Sequence, residues 1–168
     1  MEIIGDVDCI ENKLLNELTE VFSSIRLAGQ TEVKDLEKSL EIFKTLRHLI
    51  YEEMNQLPHE ALILKTTKLL QGEFYPSIQI QWLWNPRQSG NKNEPDLQGL
   101  DKGNVICSAE ITTSQKPQGE INSRMAVVLQ KLSIMPGDKY YVVETEEMER
   151  RARAKIVSQN YQINVLRL

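Results

Sequence analysis

Cysteine is nearly absent from this chain of 168 residues: Cys9 and Cys107 stand far apart and belong to no CxxC or Cys/His cluster. That spacing argues against a disulfide framework and a structural zinc site, and a reducing cytoplasm is the compartment that fits. No apolar run approaches the roughly 20 residues needed to span a bilayer. Residues 1–6 lack the basic flank of a secretory signal, so neither membrane insertion nor export is expected. Histidine is as scarce, and His48 and His59 fall in helical segments without a serine or cysteine motif beside them. Nucleophilic catalysis of the histidine-assisted kind therefore has no partners to use. A P-loop and a glycine-rich dinucleotide fingerprint are also missing, which leaves nucleotide-cofactor chemistry without a signal.

What is there is ordinary for a globular chain: 40% hydrophobic and 26% charged residues, in a length that suits one core. The net charge of −4 does not mark a generic nucleic-acid binder. Its distribution is more informative, because residues 1–60 hold 13 acidic and 6 basic residues while the remainder holds 11 and 14. The acidity belongs to the N-terminal arm.

That arm reads as two helices. Ile10, Leu14, Leu18, Val21 and Ile25 recur at helical spacing up to Gly29. A second stripe follows an N-cap at Thr31 and runs through Val33, Leu36, Leu40, Phe43, Ile50, Met54 and Leu57, interrupted by Arg47, to a stop at Pro58. Two such stripes are expected to bury one another within the chain, with a homodimer through these helices as the alternative, since the spacing also suits a coiled-coil seam. A third helix is expected over 59–71, ending at Gly72.

The period then shortens. Residues 77–84 alternate, placing Ile78, Ile80, Trp82 and Trp84 on one face of a strand, where tryptophans are core rather than a base-stacking platform. Residues 85–94, with Pro86, Gly90 and three asparagines, read as a surface loop. A strand over 96–100, a turn at Asp101, Lys102, Gly103 and Asn104, and a strand over 105–112 complete a meander. Helical period returns with Ile121, Met125, Val128, Leu129 and Leu132 until Pro136 and Gly137. A strand over 139–143, a helix capped by Thr145 and a last strand over 161–168 follow. The expected domains are a helical extension, 1–57, packed on the same domain, and an α/β core, 58–168.

Alternation along 105–112 sets Ile106, Ser108, Glu110 and Thr112 on one face and Val105, Cys107, Ala109 and Ile111 on the other. Asp96 precedes Glu110 by 14 positions, a separation that a hairpin folds back on itself. Two neighbouring carboxylates attract a hard cation such as Mg²⁺ or Mn²⁺, which keeps several waters and can activate one against a phosphodiester.

Pro95 and Asp96, followed by Ala109, Glu110, Ile111 and Thr112 within an α-β-β-β-α-β order, resemble the PD-(D/E)-x-K nuclease superfamily. The resemblance covers the chain from about residue 57. It implies an α/β, restriction-endonuclease-like mixed β-sheet (α-β-β-β-α-β-α-β) behind an N-terminal helical hairpin. It also implies a metal-dependent endonuclease, acting on DNA, with Asp96 and Glu110 as ligands of Mg²⁺ or Mn²⁺. Glu60 matches the glutamate that many members carry on the first helix, and Glu73 competes for that place. The departure is Thr112, which stands where the family has a lysine that positions and activates water. Thr112 would orient water only, and Lys116, the nearest cation in sequence, is the candidate substitute for that lysine if its turn folds back over the site. Arg124, Lys131, Arg150 and Arg151 are candidates for gripping phosphates, and solvated helix faces explain them equally well. The alternative is a degenerate nuclease-like subunit that binds nucleic acid or protein without cleaving, in which no cation would stand near Thr112.

Overall fold

Helical period in the first third and strand period in the middle produce, in the computed structural model, a mixed α/β protein with four α-helices and a six-stranded sheet among the described residues. Those residues are 1–30, 32, 34–88 and 93–168, so the expectations placed on Thr31, Val33 and Gly90 fall outside them. No helix among them is long and apolar enough to cross a membrane. The chain divides into two compact units, residues 6–61 and residues 1–5 with 62–168.

In the first unit, α1 (Val7–Gly29) opens at Asp6, whose carboxylate accepts the Asp8 N–H at 2.9 Å. α2 (Leu36–Leu69) opens at Asp35, whose carboxylate accepts the Lys38 N–H at 2.9 Å. The two apolar stripes are covered less than the sequence led us to expect. Leu14 is the buried member of the first and Leu57 of the second, while Leu36, Leu40, Phe43 and Met54 remain exposed. The expected stop at Pro58 is also corrected, because α2 continues through it and the third helix is its C-terminal part. Proline removes one backbone hydrogen bond and crowds the preceding turn. Leu57, His59, Glu60, Leu62, Ile63 and Leu64 are all buried, and burial of that density outweighs the local cost. Gly72, expected as the stop, lies inside a π-helical turn (Leu70–Phe74) that closes when Tyr75 N–H donates to the Leu70 carbonyl at 2.9 Å.

In the second unit the strands are β1 (Glu2–Ile3), β2 (Gln81–Trp84), β3 (Leu97–Asp101), β4 (Asn104–Thr112), β5 (Asp138–Val143) and β6 (Asn164–Arg167), in that spatial order. β1 to β4 pair antiparallel, and β4, β5 and β6 pair parallel. β1 has too few residues to show a period, and the sequence did not announce it. β2 is shorter than the expected 77–84 for a physical reason: its partner β3 turns back at Lys102 and Gly103, leaving 77–80 no strand to pair with. There the Gln71 amide donates to the Ile78 carbonyl at 2.9 Å in place of a ladder bond, and to the Tyr75 carbonyl just before it at 3.0 Å.

The β3–β4 turn has two residues, Lys102 and Gly103, with φ of 49° and 82°, the left-handed pair that matches strand twist. Beyond it the register shifts by one residue between Gly99 and Leu100, leaving Ile106 without a partner on β3. This bulge confines the expected strict alternation to 107–112. It also decides the site. The turn alone would bring Asp96 level with Ala109, whereas the extra residue gives Leu97 opposite Ala109 and so brings Asp96 level with Glu110.

α3 (Gly119–Ser133) and α4 (Glu146–Gln159) cover one sheet face through Met125, Leu129, Leu132, Met148, Ala152 and Ile156, packed on Tyr141, Val143 and Val165. Thr145 caps α4 as expected, its hydroxyl accepting from Met148 N–H at 3.2 Å. Trp82 and Trp84 are buried, as the strand pattern requires, and Trp82 donates its indole N–H to Gln71 at 3.1 Å. Phe74 meets Tyr140 edge-on at 5.4 Å.

Candidate functional site

Glu110 pairs in register with Tyr141 of β5, so its side chain lies on the face that α3 and α4 cover. Asp96, one residue before β3 and level with Glu110 when the Leu97–Ala109 register is extended, completes a carboxylate pair beside Tyr141, and both acids are buried, at 8% and 5% exposure. The Asp96 carboxylate accepts the Ile111 N–H at 2.8 Å, which fixes it across the strand gap. The two charges share surroundings: the Tyr141 hydroxyl is held well above its ordinary pKa, first by burial and then by Glu110 and Asp96. It is a phenol that stays protonated beside the acids and can donate a hydrogen bond there.

Among the described residues, Lys131 brings a cation to this site. From α3 its ammonium stands 2.6 Å from Glu110 Oε1 and donates to the Glu94 carbonyl at 2.8 Å. The sequence singled it out for phosphate contacts instead. A signal was available, because Lys131 follows Val128 by three residues and so flanks the buried stripe of α3, where a long side chain can lie along the sheet with its charge at the margin. The Tyr141 hydroxyl went unnoticed because the strand over 139–143 reads as uniformly buried.

Thr112 is half-buried at the end of β4, and its hydroxyl accepts the Ser114 N–H at 3.2 Å. Lys116 is exposed in the following turn, where its carbonyl accepts from Gln118 at 3.0 Å. Glu60 is buried, at 3% exposure, and belongs to the helical unit. Glu73 is exposed within the π-helical turn. Among the described residues no group of three or more His, Cys, Asp or Glu side chains gathers in a metal-binding arrangement. Arg124, Arg150 and Arg151 are exposed on α3 and α4, with Arg151 donating to Asn122 at 2.8 Å.

The two carboxylates are hard oxygen donors of the type that Mg²⁺ or Mn²⁺ takes, and the Lys131 ammonium occupies one side of Glu110, where a bound cation would compete with it. Comparison of the chain with protein-family models, with curated proteins and with solved structures gives no match.

Proposed function

We propose that the protein is a metal-dependent nuclease of the PD-(D/E)-x-K kind, with a restriction-endonuclease-like arrangement of its sheet, hydrolysing phosphodiester bonds in DNA. The observation that carries this reading is the carboxylate pair Asp96 and Glu110 with the Lys131 ammonium at 2.6 Å. The positive charge that Thr112 does not supply from the strand comes from the neighbouring helix. Asp96 and Glu110 would hold Mg²⁺ or Mn²⁺, which when bound lowers the pKa of water and neutralises phosphoryl charge. Lys131 orients Glu110 and places a fixed positive charge near developing negative charge. Tyr141 donates a hydrogen bond, and Thr112 positions water at the strand end. Arg124, Arg150 and Arg151 supply electrostatic grip on the phosphate backbone.

One observation favours a second reading. The Lys131–Glu110 pair already balances the charge of one metal ligand, as in a nuclease-like subunit that binds nucleic acid or protein and no longer cleaves. Calorimetry with Mn²⁺ and Mg²⁺, together with plasmid nicking, separates the two. Asp96→Asn keeps an acceptor for Ile111 N–H while removing the charge. The nuclease reading expects this variant to weaken metal affinity by more than about 100-fold and to abolish nicking. Metal binding without nicking in the wild type supports the non-cleaving subunit, and no metal binding overturns the site.

A further inference from the structure

We infer that the exposed apolar face of the helical unit is the docking surface for a second copy of this chain, forming a homodimer. On α2, Leu36, Leu40, Phe43, Arg47, Tyr51 and Met54 fall on one helical face. All are exposed, Leu36 at 75% and Phe43 at 64%. The spacing of 36, 40, 43, 47, 50 and 54 alternates four and three up to Leu57, which is buried within the chain, and this is the pattern that seats knobs into holes of a facing helix. α1 carries a parallel case in Leu15, Phe22 and Ile25, also exposed, which share a flank with Leu18.

Area decides what such a surface needs. The apolar side chains of the α2 stripe leave roughly 600 Å² exposed per chain, taking about 200 Å² for a fully exposed large side chain, against the roughly 800 Å² each partner buries in a standard interface. A contiguous patch of that size stands at the upper end of what monomers leave in water, where such patches mark interaction sites.

Charge narrows the occupant. Between residues 36 and 56 the helix holds four acidic and three basic residues, so an identical face meets it with little net repulsion. The acidic balance of residues 1–60 selects against nucleic acid and anionic lipid. Within the stripe, Arg47 extends over the Tyr51 ring at 5.8 Å. A charged residue at one seam position restricts register, as buried polar residues do in coiled coils. The inference is independent of metal binding at Asp96 and Glu110.

Sedimentation equilibrium on the full chain between about 1 and 100 µM tests it; micromolar dissociation corresponds to about −8 kcal/mol. The expected mass is twice the 19.4 kDa of the chain. Leu40→Glu with Phe43→Glu alters two side chains that already face water, so the variant keeps its far-ultraviolet circular dichroism and sediments as a monomer. A wild-type monomer at 100 µM overturns the inference, as does a dimer that survives both substitutions.

Discussion

The pairing of Lys131 with Glu110 joins stability to the proposed chemistry, and one substitution reads both. Lys131→Met leaves a buried carboxylate without its ammonium, and because Lys131 is itself about a quarter exposed, the expected loss is about 2–3 kcal/mol in urea unfolding. Restoring the charge with Lys131→Arg recovers part of that stability. If the nuclease reading holds, nicking falls by at least about 100-fold in the methionine variant while metal affinity is retained, a split that a purely structural role does not produce. Elsewhere, burial pushes the Cys107 thiol up to about 12, whereas Cys9 is exposed. One thiol per native chain is therefore expected to react with a disulfide reagent at pH 8, and two after denaturation. The sign of the linkage follows: the stability contributed by protonated Cys107 is complete below about pH 9 and is lost as the pH rises toward about 12.

Among the elements, the bulge at Ile106 and the start of β5 depend on each other. Gly137 has φ of 73°, and a Cβ there would lie 2.4 Å from the Ile106 carbonyl carbon and oxygen. Gly137→Ala is expected to cost more than about 3 kcal/mol and to disturb the register that levels Asp96 with Glu110. Thr145→Ala removes the cap and the hydroxyl's bond to the Gln115 carbonyl at 2.8 Å, and should cost about 1–2 kcal/mol, measured as a shift in thermal midpoint. This contrast also explains what could be read in the sequence. Thr145 and the apolar stripe of α3 are local patterns, and they appear where the residues place them, whereas the alternation over 77–84 becomes a strand only at 81–84, where β3 stands beside it. Pro58 misled because the burial of the residues around it is not local. The level of Asp96 with Glu110 was legible only as a hairpin of suitable length, since the one-residue bulge that sets it leaves no mark in a run of Val105, Ile106 and Cys107. Lys131 was read as a surface charge because its partner is 21 positions away on another element.

For the molecule as a whole, the proposed nuclease reading expects affinity for duplex DNA that falls about linearly on logarithmic axes with salt, with a slope near one per phosphate contacted. Arg150→Ala with Arg151→Ala should lower that slope by up to about two in fluorescence titrations. The route by which the chain reaches its native form follows from β1. Glu2 and Ile3 pair with Trp84 and Leu83, and Ile4 N–H donates to the Trp82 carbonyl at 2.8 Å. The β2–β3–β4 meander closes over short distances and can assemble early, whereas seating β1 requires a loop of about 80 residues to close for a handful of hydrogen bonds. β1 is thus the latch of the sheet: last to fasten during refolding, first to open in native-state hydrogen exchange, and until it fastens the outer edge of β2 stands open to any passing strand.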